Sequence, residues 1–276
     1  MLKKRLIFTL LYRQGSFMLS RNFRLQKVGN IEWLYKNYHF ESISDAIDEL
    51  VILNVDSDRS SIADFHQALT TLVKHCMIPV AAGGQIRSVE DGQQLIAHGA
   101  DKLVLNTPCF NDRELVNHLA DIYGSQCIVA AADWKPVKSK NNSEITAYEP
   151  TVFSHNAGQQ QSALPRYLEY IQQLPVGELY LNAIHKDGTG QGFDFSPLKN
   201  LPKNWNLPIT YAGGAGQTSH FKQAFECPEI SAAATANLFN FIAGGLAKSR
   251  NDLLTQGVNI ADFNSSDFIN SPTQVA

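Results

Sequence analysis

A short apolar sequence occurs in this chain twice. Ile78-Pro79-Val80-Ala81-Ala82-Gly83-Gly84 returns as Leu207-Pro208-Ile209-Thr210-Tyr211-Ala212-Gly213-Gly214, and Gly83 and Gly213 stand 130 residues apart. Asp48-Glu49-Leu50-Val51-Ile52-Leu53-Asn54 is echoed by Gly177-Glu178-Leu179-Tyr180-Leu181-Asn182-Ala183, with Glu49 and Glu178 129 residues apart. An apolar strand ending in Gly-Gly in each half calls for a fold made of two similar half-units with matched anion sites. A barrel with pseudo-twofold symmetry meets that requirement.

The rest of the chain extends the pattern. Apolar or β-branched runs predict strands at 5–11, 49–55, 77–82, 102–106, 127–133, 178–184, 208–212 and 230–235. Each is too short and too apolar for a surface hairpin, which points to parallel strands covered on both faces. Helices are expected at 88–99, where Ser88 and Asp91 form a capping-box pattern and Gly99 a stop, and at 111–124, where Leu115, Leu119 and Ile122 share a face. Two more are expected at 163–174 and 218–225. Eight such strands predict a single-domain (β/α)8 TIM barrel with a twofold half-barrel repeat over residues 1–263. The polar stretch 135–149 reads as a surface hairpin or loop, and 264–276 as a flexible tail.

Composition narrows the function classes. The 276 residues hold 23 basic and 26 acidic side chains, a formal charge of −3, which is neither a nucleic-acid footprint nor an acidic tail. Small anionic ligands would then be held by local backbone amides. Cys76, Cys109, Cys127 and Cys227 are widely spaced, with no Cys-x-x-Cys and no histidine at metal spacing, so they read as buried thiols and neither metal nor cofactor is expected. The apolar run after Lys3-Lys4-Arg5 ends at Tyr12 without a small-residue cleavage site and reads as a strand, not a signal peptide. No segment is long enough to span a bilayer, and a cytoplasmic protein is expected.

In such a barrel the chemistry gathers at the carboxyl ends of the strands. Gly83-Gly84 and Gly213-Gly214 follow strands, where absent side chains let a phosphate reach backbone N–H groups. One such pair is usually only a turn; two at matched depth favour an elongated ligand with a phosphate at each end. Asn106, Thr107, Ala236 and Asn237 sit at neighbouring strand ends and extend the two sites. Asp187-Gly188-Thr189 could supply a carboxylate, an amide and a hydroxyl, where a tight turn would need only Asp-Gly. Asp133 closes the run Val129-Ala130-Ala131-Ala132 at the mouth; general acid/base work and a simple turn cap are equally open readings. At the opposite ends of their strands stand Arg5, Glu49, Lys102 and Glu178, and a ring of such charges can serve stability alone.

Together these residues resemble HisF, the cyclase subunit of imidazole glycerol-phosphate synthase, from Met1 to about Phe263. The matching stretches include Met1-Leu2-Lys3-Lys4-Arg5, Gly84-Gln85-Ile86-Arg87-Ser88-Val89-Glu90-Asp91, Gly99-Ala100-Asp101-Lys102, Gly124-Ser125-Gln126-Cys127 and Ala212-Gly213-Gly214-Ala215-Gly216. The resemblance implies a barrel that receives ammonia from a HisH-like glutaminase docked on its lower face. It assigns Arg5, Glu49, Lys102 and Glu178 to the ring gating the ammonia passage, and Asp101 to the glutaminase contact.

On the upper face the likeness breaks. The family's cyclase moves protons with two aspartates; Asp133 matches the second, but the first falls on Leu11, which cannot transfer a proton. Asn54, Gln85, Asn182, Ala212 and Asn237 depart from the family's residues nearby. Thr9-Leu10-Leu11 with an intact gate looks like the HisF-like proteins of surface-polysaccharide pathways. Those resemble ammonia suppliers to a third protein, a sugar amidotransferase that turns an acetamido group of a nucleotide sugar into an acetamidino group. The alternatives are a cyclase of histidine biosynthesis, with Asp133 and a substitute such as Asp56 sharing the chemistry, and an inactive phosphosugar-binding barrel.

Overall fold

The computed structural model describes residues 2–38, 40–138, 148–153, 161–237, 241 and 244–263; the expected tail 264–276 lies outside them. Eight parallel strands close a barrel in the order β1 (Arg5–Arg13), β4 (Glu49–Asn54), β5 (Val80–Gly83), β6 (Lys102–Leu105), β7 (Ile128–Lys138), β10 (Glu178–Ala183), β11 (Ile209–Ala212) and β12 (Ile230–Thr235), which pairs back to β1. All eight expected strands are present. Three begin later than expected: β7 at Ile128, after the 3-10 turn Ser125–Cys127, and β5 and β11 at Val80 and Ile209, because Pro79 and Pro208 before them lack an N–H for the ladder; the two proline carbonyls still accept from Leu50 N and Leu179 N.

The remaining four strands extend the mouth. β1 runs into an antiparallel hairpin of β2 (Ser16–Arg21) and β3 (Arg24–Gly29), and β7 pairs antiparallel with β8 (Tyr148–Phe153), which pairs with β9 (Gln161–Ala163). The half-barrel repeat thus includes these extensions, since β1 and β7 lie four strands apart in the closed ring. The second extension is the hairpin expected within 135–149, of which the described residues begin again at Tyr148. The first was not expected, because Ser16–Gly29 mixes polar and apolar residues without a clean period.

Helices α1 (Ile31–Tyr38), α2 (Ile62–Val73), α3 (Val89–Ala97), α4 (Pro108–Asn111), α5 (Arg113–Tyr123), α6 (Leu164–Ile171), α7 (Thr218–Phe225) and α8 (Gly245–Thr255) cover the barrel. The capping box at Ser88 and Asp91 is formed. Asn111 ends the single turn α4, so α5 starts two residues later than expected, where Asp112 accepts from Leu115 N at 3.0 Å. Its buried stripe is Leu115, Val116, Leu119 and Ala120; Ile122, expected on that face, is in the last turn and 51% exposed. Between β10 and β11 the covering element is a 3-10 turn, Ser196–Asn200.

The last helix is tied to the first strands through Arg250, which is 1% exposed. Its guanidinium donates to Ala46 O at 3.0 Å, Ala261 O at 2.5 Å and Asp48 Oδ2 at 2.5 Å, and the same Asp48 oxygen accepts from Leu6 N at 2.7 Å. Removing the cation strands a carboxylate that is nearly buried. Arg250→Ala should therefore lower unfolding free energy by about 3–5 kcal/mol, read from urea denaturation.

Candidate functional site

Alternate residues of a barrel strand face the axis. On β1 these are Arg5, Ile7, Thr9 and Leu11, and on β10 Glu178, Tyr180 and Asn182. At the mouth, Asn106 Nδ2 donates to Asp133 Oδ2 at 3.1 Å and Asn182 Nδ2 donates to Oδ1 at 2.8 Å, so an amide on either side fixes the Asp133 carboxylate. Asn106 Nδ2 also reaches Ala131 O at 3.1 Å, while its own Oδ1 is buried without a hydrogen-bond partner.

The register places Leu11 where the repeat demands an equivalent of Asp133. Leu11 pairs with Leu53 of β4 and opens the antiparallel pairing with Met18; Asp133 pairs with Asn182 of β10 and opens the pairing with Phe153. One half of the mouth is therefore Leu11 and Leu53, the other Asp133 and Asn182. Asp56, the other carboxylate considered for proton transfer, has a fully buried side chain that accepts from Gln14 N at 3.2 Å and from Ser61 Oγ. It is committed to the loop after β4.

At the floor the four charged residues form one closed ring. Arg5 donates to Glu49 and to Glu178, each at 2.6 Å, and Lys102 lies 2.8 Å from Glu49 and 3.3 Å from Glu178. Burial pushes the Glu49 carboxyl above its ordinary range against the pull of Lys102 and Arg5. At Glu178 burial is outweighed by Arg5 and Lys102, and the Thr210 hydroxyl donates to this glutamate as well, so its carboxyl is held below that range. Asp101 is exposed beside this floor, with one oxygen accepting from Val80 N at 2.8 Å.

The two glycine pairs lie four strands apart on opposite sides of the mouth. Gly84 and Gly214 have φ of +91° and +117°, and a Cβ would sit 2.0 Å from Asn54 O or 2.2 Å from Gly192 O. Close backbone approach thus demands glycine at both, whatever binds there. Gln85 is left-handed at φ 61° without being glycine; its side chain donates to Asp56 O at 2.5 Å and accepts from Arg87 at 2.7 Å. Asn106 and Thr107 lie at the end of β6 beside the first pair. Ala236 and Asn237 follow β12 beside the second, and Asn237 N donates to Thr235 Oγ1 at 3.2 Å.

Asp187 follows β10 in the loop that begins after Ala183. It is 7% exposed and holds the tip of the β2–β3 hairpin: Oδ2 accepts from Ser20 Oγ at 2.5 Å and Phe23 N at 3.0 Å, and its carbonyl from Asn22 N at 2.9 Å. Gly188 packs under the same hairpin, where a Cβ would lie 1.9 Å from Ser20 O. Thr189 Oγ1 donates to Lys186 O at 2.8 Å. The Asp187 carboxylate thus ties the hairpin that extends β1 to the loop after β10.

Two inward residues escaped the sequence reading. Asn182 registered only as a departure from the resemblance, and Tyr180 not at all, although the spacing Glu178-x-Tyr180-x-Asn182 has the period of a strand face. Among the described residues no group of three His, Cys, Asp or Glu could hold a metal, and no helix is long and apolar enough to cross a membrane.

Comparison with known proteins agrees with this architecture. The family model described as "Histidine biosynthesis protein" matches residues 26–243. A protein of Parasynechococcus marenigrum with the provisional name imidazole glycerol phosphate synthase subunit hisF2 is 35% identical over 250 residues, covering 91% of this chain and 90% of its own. The imidazole glycerol phosphate synthase subunit HisF of Proteus mirabilis is 31% identical, covering 87% and 91%, and that of Chlorobium phaeobacteroides 29%, covering 94% and 99%.

Burial raises the Asp187 carboxyl above its ordinary value despite the Ser20 and Phe23 hydrogen bonds. A carboxyl raised on folding favours the folded state when protonated, and that contribution is lost as pH rises through the folded-state value. Asp187→Asn keeps an acceptor for Phe23 N and Ser20 without the buried charge. The variant should gain stability over wild type at pH 7 and lose that advantage near pH 3, measured by urea denaturation at both values.

Proposed function

The chain belongs to the histidine biosynthesis protein family, and we propose that within it this HisF-like barrel conducts ammonia and does not cyclise. The observation that carries this reading is Leu11 at the register position that mirrors Asp133, above a floor ring that is complete. A reaction needing proton transfer on both sides of a forming ring loses one partner to an alkyl group. A conduit needs only the floor and the lumen.

In this reading a glutaminase docks on the lower face around Asp101 and releases ammonia at the ring. Arg5, Glu49, Lys102 and Glu178 hold one another by paired charge and part to let it through. The ammonia leaves at the mouth for a third protein, which activates the acetamido oxygen of a nucleotide sugar so that ammonia displaces it, giving the acetamidino group of a surface polysaccharide. The glycine pairs, Asn106, Thr107, Ala236 and Asn237 cradle the phosphates of a small anion at the mouth.

The names of the relatives favour the second reading, a cyclase of histidine biosynthesis. It requires a substitute for the missing aspartate, and the bonds of Asp56 to Ser61 and Gln14 argue against that residue. Complementation separates the two. With a cognate glutaminase present, the protein should fail to restore growth to a histidine auxotroph lacking the cyclase subunit, and growth at the normal rate would overturn the conduit reading. Leu11→Asp should not rescue fully, because Leu53 stands beside it where the other half has Asn182.

Docking and delivery are tested separately. The barrel should co-elute with its glutaminase in size exclusion at micromolar concentration, and Asp101→Lys should weaken the complex by about 1–3 kcal/mol if the pairing loses its water on docking. In the reconstituted three-protein system, Lys102→Ala should leave glutamate release measurable and lower the product formed per glutamate.

A further inference from the structure

The barrel interior between floor and mouth is mostly small and apolar. Of the ten buried residues in this inner cluster five are alanines, among them Ala81, Ala131 and Ala234, where bulky branched side chains usually fill a barrel of this type. One large side chain interrupts them. Tyr180 is 6% exposed, lies one inward layer above Glu178 and one below Asn182, and its hydroxyl meets Thr9 Oγ1 at 2.9 Å. Thr9 is on β1 and 2% exposed, so the bond joins strands three places apart and spans the lumen.

We infer that the Tyr180–Thr9 hydrogen bond is a relay within the lumen, the point at which ammonia is handed on between the charged ring and the mouth. This inference rests on the conduit reading. Ammonia crossing an apolar passage gives up its hydrogen bonds to water, and the two hydroxyls offer replacements half-way. The phenol donates to the ammonia lone pair while an ammonia N–H is donated to Thr9 Oγ1, so the molecule inserts into the existing bond and leaves it re-formed. Ammonium has no lone pair and cannot accept from the phenol, which makes the step selective for the neutral form. Burial raises the Tyr180 phenol well above its ordinary range, keeping it a donor at neutral pH.

The test compares Tyr180→Phe and Thr9→Val, each close in shape to the original, with wild type in the reconstituted system of barrel, glutaminase and acceptor protein. Product is measured first with glutamine, whose ammonia must rise through the lumen, and then with ammonium chloride, which enters from the mouth. The ratio of glutamine-driven to ammonium-driven product should fall by about fivefold to tenfold in each variant, the size of losing one neutral hydrogen bond. Size exclusion and thermal denaturation establish that both variants fold and bind the glutaminase. If the ratio is unchanged in both while Lys102→Ala lowers it, the handover at Tyr180 is wrong and the conduit stands. If a trap that consumes free ammonia, glutamate dehydrogenase with 2-oxoglutarate and NADH, abolishes glutamine-driven product in wild type, the conduit reading fails and this inference with it.

Discussion

Two carboxylates buried at the floor of a barrel are tolerable only because two partly buried cations are paired with them. Glu49 and Glu178 lie four strands apart, and neither can reach the other; Arg5 and Lys102 bridge the gap from opposite sides. Each charge has two opposite neighbours, so removing any one residue takes a partner from both ions beside it. The floor is therefore coherent as a unit, and the strands that carry it are held in register by the same contacts.

The half-barrel repeat is kept to different degrees at the two ends of the molecule. Glu49 and Glu178 are repeat equivalents and have stayed identical, because the ring uses both in the same way. Leu11 and Asp133 are also equivalents and have diverged completely, as have Leu53 and Asn182. A proton-transfer pair would need both halves of the mouth to remain polar. The apolar half pairs with its hairpin and with β4 without a polar group at that position.

How far this was visible in the sequence differs between the ladder and the site. The eight barrel strands were legible because a strand buried on both faces leaves an unbroken apolar run, and the starts of β5 and β11 were misplaced where Pro79 and Pro208 continue that run without an N–H. The β2–β3 hairpin was not legible, since one of its faces is exposed and its tip is held by Asp187, some 165 residues away in the chain. For the same reason the structural role of Asp187 was hidden: its partners Ser20 and Phe23 are invisible to local pattern. Tyr180 was hidden differently, inside an apolar run where a tyrosine passes for packing, and only its alternation with Glu178 and Asn182 marks it as facing the axis.

From Arg5 to Leu11 the first strand climbs six residues, roughly 20 Å of extended chain. Sites that far apart, joined by alanines and valines with no charged relay, couple weakly, so substitutions at one end leave the other nearly unaffected. This separation lets Leu11 stand at the mouth on the same strand that carries Arg5 of the fully paired floor. Thr9 and Tyr180 lie on that path and belong to neither end. Their hydroxyls keep each other satisfied in a place where an unpaired polar group would be costly, and removing either alone would leave the other stranded. A bond of that kind persists in an apolar lumen only as a pair, which ties a residue of the first strand to one of the sixth through the centre of the barrel.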